Sequence, residues 1–159
     1  LKEVSTMLDV GQRFPDFSLK NQNNELKTLA SFAGKWLIVY VYPKDDTPGC
    51  TIQGKAFTAT KDEFEKLGIH VVGLSADDVT SHRGFCDKFS LKVELLADPD
   101  ATLLKSLGVD QVEYKGNFYW SRSTFVVDPT GVVRKVYAGV NPQGHEELLL
   151  KDTAELQAS

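Results

Sequence analysis

Cys50 closes the run Val41-Tyr42-Pro43-Lys44-Asp45-Asp46-Thr47-Pro48-Gly49-Cys50 and is followed by Thr51. An apolar stretch of strand-forming residues precedes this run and a helical pattern follows it, so the thiol is expected where a helix begins. Backbone N–H groups without intrahelical partners and the positive end of the helix dipole favour an anion there, which for cysteine means thiolate. Thiolate is the reactive form, and the placement makes Cys50 a candidate nucleophile or redox centre. The alternative is a cysteine that packs as a small hydrophobe. Thr47, three residues earlier, can set a hydroxyl beside the sulfur that accepts from one partner while donating to another. Pro43 and Pro48 stiffen the loop, and Gly49 lets its backbone approach a small ligand closely. Inward-pointing carboxylates would oppose a thiolate, so Asp45 and Asp46 are expected to face solvent.

The elements that must position this thiol follow from periodicity. Residues 36–42 (Trp-Leu-Ile-Val-Tyr-Val-Tyr) form a continuous apolar run rich in β-formers, which suits a central strand buried on both faces. Ile52, Ala56, Ala59, Phe64 and Leu67 recur at helical steps, with Gly68 as a stop, predicting one helix that starts at Cys50 and runs to Leu67. A strand over 69–75 and a helix over 77–89 come next, the latter with Val79, Phe85, Cys86 and Phe89 on its buried side. Such β-α-β alternation implies parallel pairing through right-handed crossovers. Upstream, 14–19 and 25–29 read as an N-terminal hairpin around turn residues 21–24. Downstream, a short strand over 95–97 and a helix over 101–107 are followed by a hairpin of 123–127 and 132–140 around Asp-Pro-Thr-Gly. A C-terminal helix over 145–156 completes the pattern.

Composition narrows the function classes. A chain of 159 residues that is 42% hydrophobic can bury the core of one domain. The net charge of -4 and the lack of a Lys/Arg block give no field for nucleic acid or anionic lipid. No apolar run reaches the roughly 18 residues of a membrane span, and no charged-then-apolar signal pattern opens the chain, so a soluble, cytoplasmic protein is expected. The only methionine is Met7; residues 1–6 are read as a cloning-derived or processed extension and 7–159 as the domain. Two cysteines are too few for a disulfide scaffold, and in a reducing compartment a bridge between them would be transient. With His70, His82 and His145 as the only histidines and no C-x-x-C spacing, neither a metal site nor a cofactor is expected.

Pro43, Thr47 and Cys50 together spell the P-x-x-x-T-x-x-C signature of peroxiredoxins, and residues 42–51 resemble the bacterioferritin-comigratory, or PrxQ, branch. The likeness extends to Gly-Gln-Arg-Phe-Pro-Asp-Phe at 11–17 and to Arg-Ser-Thr-Phe-Val-Val-Asp at 122–128. The resemblance implies a thioredoxin-like α/β fold, a central mixed sheet flanked by helices with an N-terminal hairpin. It implies a thiol peroxidase in which Cys50 attacks hydrogen peroxide or an organic hydroperoxide and becomes a sulfenic acid. Arg122 resembles the family arginine beside the cysteine, whose permanent charge favours thiolate and binds peroxide oxygens. Pro43 resembles the proline that shields the thiolate from water. The implied partners are the peroxide and thioredoxin, or a related dithiol protein, and the branch is often monomeric.

Many members of the branch carry a resolving cysteine five residues after the first, where this chain has Lys55. The other thiol is Cys86, thirty-six residues beyond Cys50, in a segment similar to one where some members place the resolving cysteine. Flanked by Phe85 and Phe89, Cys86 would also pack well as a small apolar residue. A bridge needs Cα atoms within roughly 7 Å, so joining two separate helices calls for unwinding around Cys50, Cys86 or both, and Gly84 weakens the second helix. His82, one turn before Cys86, is expected to face solvent. Two alternatives stay open: a one-cysteine peroxidase served by an external thiol, and a redox sensor that passes oxidation to a partner.

Overall fold

The computed structural model describes residues 7–159, so the extension read over 1–6 lies outside the described residues. In chain order the elements are β1 (Ser18–Asn21), β2 (Leu26–Thr28), β3 (Trp36–Val41), α1 (Pro48–Ala59), α2 (Lys61–Lys66), β4 (Ile69–Ser75) and α3 (Val79–Phe89). They continue with β5 (Glu94–Ala97), α4 (Thr102–Ser106), β6 (Gln111–Tyr114), β7 (Asn117–Trp120), β8 (Ser123–Val127), β9 (Val133–Ala138) and α5 (His145–Ala158). Seven strands form one mixed sheet in the order β2-β1-β5-β4-β3-β8-β9. Its centre, β5-β4-β3, is parallel, as the β-α-β alternation requires, and its remaining pairs are antiparallel.

Alternation along β3 divides the interior into two layers. Leu37, Val39 and Val41 face a core that includes Phe14, Phe17, Phe32, Phe125 and the leucines of α4. Ile38 and Tyr40 face the opposite side with Tyr42, against α1, α2, α3 and α5. Both cysteines belong to this second layer. Tyr40 stacks on Phe57 at 4.4 Å between ring centroids, which fixes α1 against the sheet. Gly73 on the neighbouring strand makes room for it, since a Cβ there would lie 2.8 Å from Cζ of Tyr40.

Beyond shifts of bounds, the largest of which moves the first strand from 14–19 to Ser18–Asn21, two elements differ from the sequence expectation. The helix read as continuous to Leu67 breaks at Thr60, where the Thr58 and Thr60 hydroxyls donate back to the carbonyls of Gly54 and Ala56. Such back-bonding weakens a helix interior. The second difference is the β6–β7 hairpin, which pairs apart from the main sheet and turns through Lys115 and Gly116, both at positive φ. Its base closes with the Ser121 N–H donating to the Asp110 carbonyl at 2.8 Å, one residue before Arg122.

Candidate functional site

Thr47 caps α1 with extended backbone, Pro48 takes the first helical position, and the Thr51 N–H makes the first helical hydrogen bond, to the Thr47 carbonyl at 2.8 Å. Proline is preorganised for that position and has no N–H to leave unpaired. The amides of Gly49 and Cys50 therefore lie ahead of the helical ladder, in the N–H-rich end of the helix. Cys50 itself is 2% exposed, in the apolar layer that includes Tyr40 and Tyr42. The Thr47 hydroxyl donates to the Lys44 carbonyl at 2.8 Å, which commits its proton and leaves oxygen lone pairs as acceptors toward the helix start.

Arg122 enters from the short segment between β7 and β8 and lies across this first turn. A Cβ on Gly49 would stand 3.0 Å from the guanidinium carbon, closer than side chains pack, so glycine is what permits the approach. Nη1 of Arg122 donates to Oε1 of Gln53 at 2.7 Å. Gln53 is buried, and its Nε2 has no protein partner among the described residues. The guanidinium thus spans Gly49 and Gln53, on either side of Cys50 along the helix. Pro43 is half-buried just beyond the end of β3, at the head of the loop that leads to Thr47.

Cys86 lies in the middle of α3, also 2% exposed and free rather than disulfide-bonded. Burial outweighs the opposing pull of Arg83 and, with smaller contributions from Asp45 and Asp87, pushes its thiol up to about 11, so it is protonated at neutral pH in this state. Phe85 beside it packs on Tyr42 and, edge to face, on Phe89.

Two polar residues expected at the surface are buried. Asp45 is turned inward: its Oδ1 accepts from the Tyr42 hydroxyl at 2.6 Å, and its Oδ2 accepts from the Ser81 hydroxyl at 2.8 Å and lies 2.7 Å from Nδ1 of His82. His82 is wholly buried, with Nε2 2.9 Å from the Leu96 carbonyl. The expectation that Asp45 faces solvent rested on its effect on a thiolate. The carboxylate is instead absorbed by donors from β3's end and α3. Asp46, at a positive φ of 59°, does project outward and pairs with Lys88 at 2.7 Å.

The AhpC/TSA family model matches residues 10–136 of the chain. The chain belongs to the AhpC/TSA family. A peroxiredoxin of Helicobacter pylori named bcp is 41% identical over 147 residues, covering 91% of this chain and 97% of that one. The chloroplastic peroxiredoxin Q of Populus jackii is 40% identical, covering 93% of this chain and 69% of that one. Among solved structures, a PrxQ mutant of Xylella fastidiosa superposes with a TM-score of 0.89 at 30% identity, covering 97% of this chain and 99% of that one. The bacterioferritin comigratory protein of Xanthomonas campestris, described in connection with alkyl peroxide reduction, gives 0.80 at 34%, covering 86% and 88%. This AhpC/TSA-family chain therefore has the thioredoxin-like fold of the PrxQ branch and is a thiol-dependent peroxidase.

Within that family frame, Thr47, Cys50 and Arg122 converge on the first turn of α1, Pro43 heads the same loop, and Cys86 occupies a different helix of the same apolar layer. Gln53 escaped the sequence reading, although its place three residues after Cys50 puts it one turn along the same helix face. None of the helices among the described residues is long and apolar enough to cross a membrane.

Proposed function

We propose that Cys50 is the cysteine oxidised by hydrogen peroxide and organic hydroperoxides, and that Cys86 resolves the product as an intramolecular disulfide. The observation that carries this reading is the Arg122 guanidinium laid over the N–H-rich first turn that holds Cys50, in a family of thiol peroxidases. The Cys50 thiolate attacks the terminal oxygen of the peroxide. Sulfur gains that oxygen as the O–O bond breaks, and the departing oxygen takes a proton to leave as water or alcohol. Arg122 and the free amides of the first turn stabilise the negative charge on the peroxide oxygens, and the lone pairs of Thr47 accept a hydrogen bond from the bound peroxide. Pro43 keeps water from the thiolate. Gln53 holds Arg122 in place.

Resolution protects the enzyme, because a sulfenic acid that meets more peroxide climbs to irreversible acids. Residues 7–159 act as one catalytic domain, monomeric and cytoplasmic, and thioredoxin or a related dithiol protein reduces the Cys50–Cys86 bridge. A one-cysteine cycle is the second reading, favoured by the burial and protonation of Cys86. Steady-state peroxide consumption with thioredoxin and its reductase separates them. The Cys86→Ser variant is expected to keep the first peroxide reaction and lose turnover with thioredoxin; full turnover in that variant would overturn the resolving role.

A further inference from the structure

The loop that leads into Cys50 also grips the helix that carries Cys86. Asp45 lies between Pro43 and Thr47, and its buried carboxylate takes donors from Tyr42, Ser81 and His82. His82 is clasped from both sides, with Nδ1 at 2.7 Å from Asp45 Oδ2 and Nε2 at 2.9 Å from the Leu96 carbonyl. Each ring nitrogen thus has a hydrogen-bond partner on the element it faces. His82 and Cys86 stand one turn apart on α3. On the far side of Cys86, Lys88 reaches back to Asp46 in the same loop at 2.7 Å. That second pair is exposed and weak. The Asp45–His82 pair is dry, and removing one partner of a buried hydrogen bond leaves the other unsatisfied at a cost.

The oxygens that bring Asp45 and Asp77 together already accept from Tyr42, Ser81, the Asp45 N–H and the Ser75 hydroxyl. What the cluster does is tie three elements, the Cys50 loop, α3 and β5, at one point beside Cys86.

We propose that Asp45 and His82 form a latch that keeps α3 wound around Cys86 and sets the rate at which Cys86 is released to attack the Cys50 sulfenic acid. The proposal rests on the reading of Cys86 as the resolving cysteine. In the closed state Cys86 is buried and protonated, hence a poor nucleophile. Opening α3 hydrates the thiol, which then loses its proton. The thiolate attacks the sulfenic sulfur, an S–S bond forms, the S–O bond breaks, and the hydroxide released combines with a proton to give water. Asp45 and His82 touch neither peroxide nor sulfur; they are positioning residues. Their strength sets a balance, since a tight latch prolongs the sulfenic acid and its exposure to further oxidation, whereas a loose one hastens the disulfide.

The test is rapid mixing of the reduced protein with one equivalent of hydrogen peroxide, followed by timed quenching with a sulfenic-acid trap and mass analysis. It is applied to the wild type, Asp45→Asn, His82→Gln, the double variant and Ser81→Ala. Each single latch variant is expected to form the disulfide about tenfold faster, the double variant no faster than either single, and the first peroxide reaction to stay within about twofold. Ser81→Ala, at a half-buried position that tolerates the change, should give a smaller acceleration of about threefold. Resolution at the wild-type rate in the variants, or multiplying effects in the double variant, would overturn the latch. If the buried substitutions prevent folding, an unchanged rate in Ser81→Ala overturns it alone. A wild type that stops at the sulfenic acid overturns the Cys86 reading itself, a result visible before any variant is measured.

Discussion

Cys50 and Cys86 share one apolar layer and the same 2% exposure, yet the backbone and charges around them differ. Cys50 sits in the first turn of α1, ahead of the first helical hydrogen bond and under a guanidinium. Cys86 sits inside a helix whose amides are engaged, beside aromatic rings, where burial outweighs the pull of Arg83 and pushes the thiol up to about 11. Burial alone therefore says little about a thiol's reactivity. The N–H groups and charges that each thiol meets inside the protein are what distinguish the two.

The contrast can be attacked from its strongest side downward. Cys50→Ser removes the proposed nucleophile and is expected to reduce peroxide consumption by at least about 10³-fold, with Cys86 unable to substitute; appreciable residual activity in a coupled assay would erase the distinction between the thiols. Arg122→Gln should slow the first oxidation by about 10²-fold, read as the second-order rate constant under pseudo-first-order peroxide, because the charge proposed to meet the peroxide oxygens is lost. Gly49→Ala introduces a methyl 3.0 Å or less from the guanidinium and displaces Arg122 without removing it. A loss of about tenfold in the same constant is expected, with little change in melting temperature.

The smallest effect concerns stability and has a definite sign. The Cys86 thiol is raised in the fold from 9.0 to about 11. The folded protein therefore holds this proton more tightly than the unfolded chain. That preference stabilises the fold fully below pH 9, and the stabilisation is lost as pH rises through about 11. Urea denaturation of wild type and Cys86→Ala across this range should show the wild type losing stability faster with pH, and parallel curves would contradict the assignment.

How much of this was legible beforehand follows from what each signal depends on. The strands at 36–41, 69–75 and 123–127 are read easily because apolar runs bounded by turns carry their own evidence. Cys50 at a helix start is equally local, being written in Thr47, Pro48 and Gly49. Asp45 and His82 were misread because their burial depends on partners 37 residues apart that only the folded chain brings together. In sequence they are a charge in a loop and a polar residue on a helix. The β6–β7 hairpin was hidden by its turn, which uses Lys-Gly in place of the more familiar Asn-Gly, although Gly116 and the alternation of Val112 and Tyr114 were available signals. Arg122 was recognised by likeness alone; its position over Gly49 depends on that hairpin and on β8.

The central claim, that one thiol reacts in place and the other must come to it, is tested most directly by intact mass and peptide mapping after one equivalent of hydrogen peroxide without added thiol. Loss of two hydrogens with a Cys50–Cys86 cross-link is the expected result. One oxygen gained on Cys50, with Cys86 still free, would contradict the account.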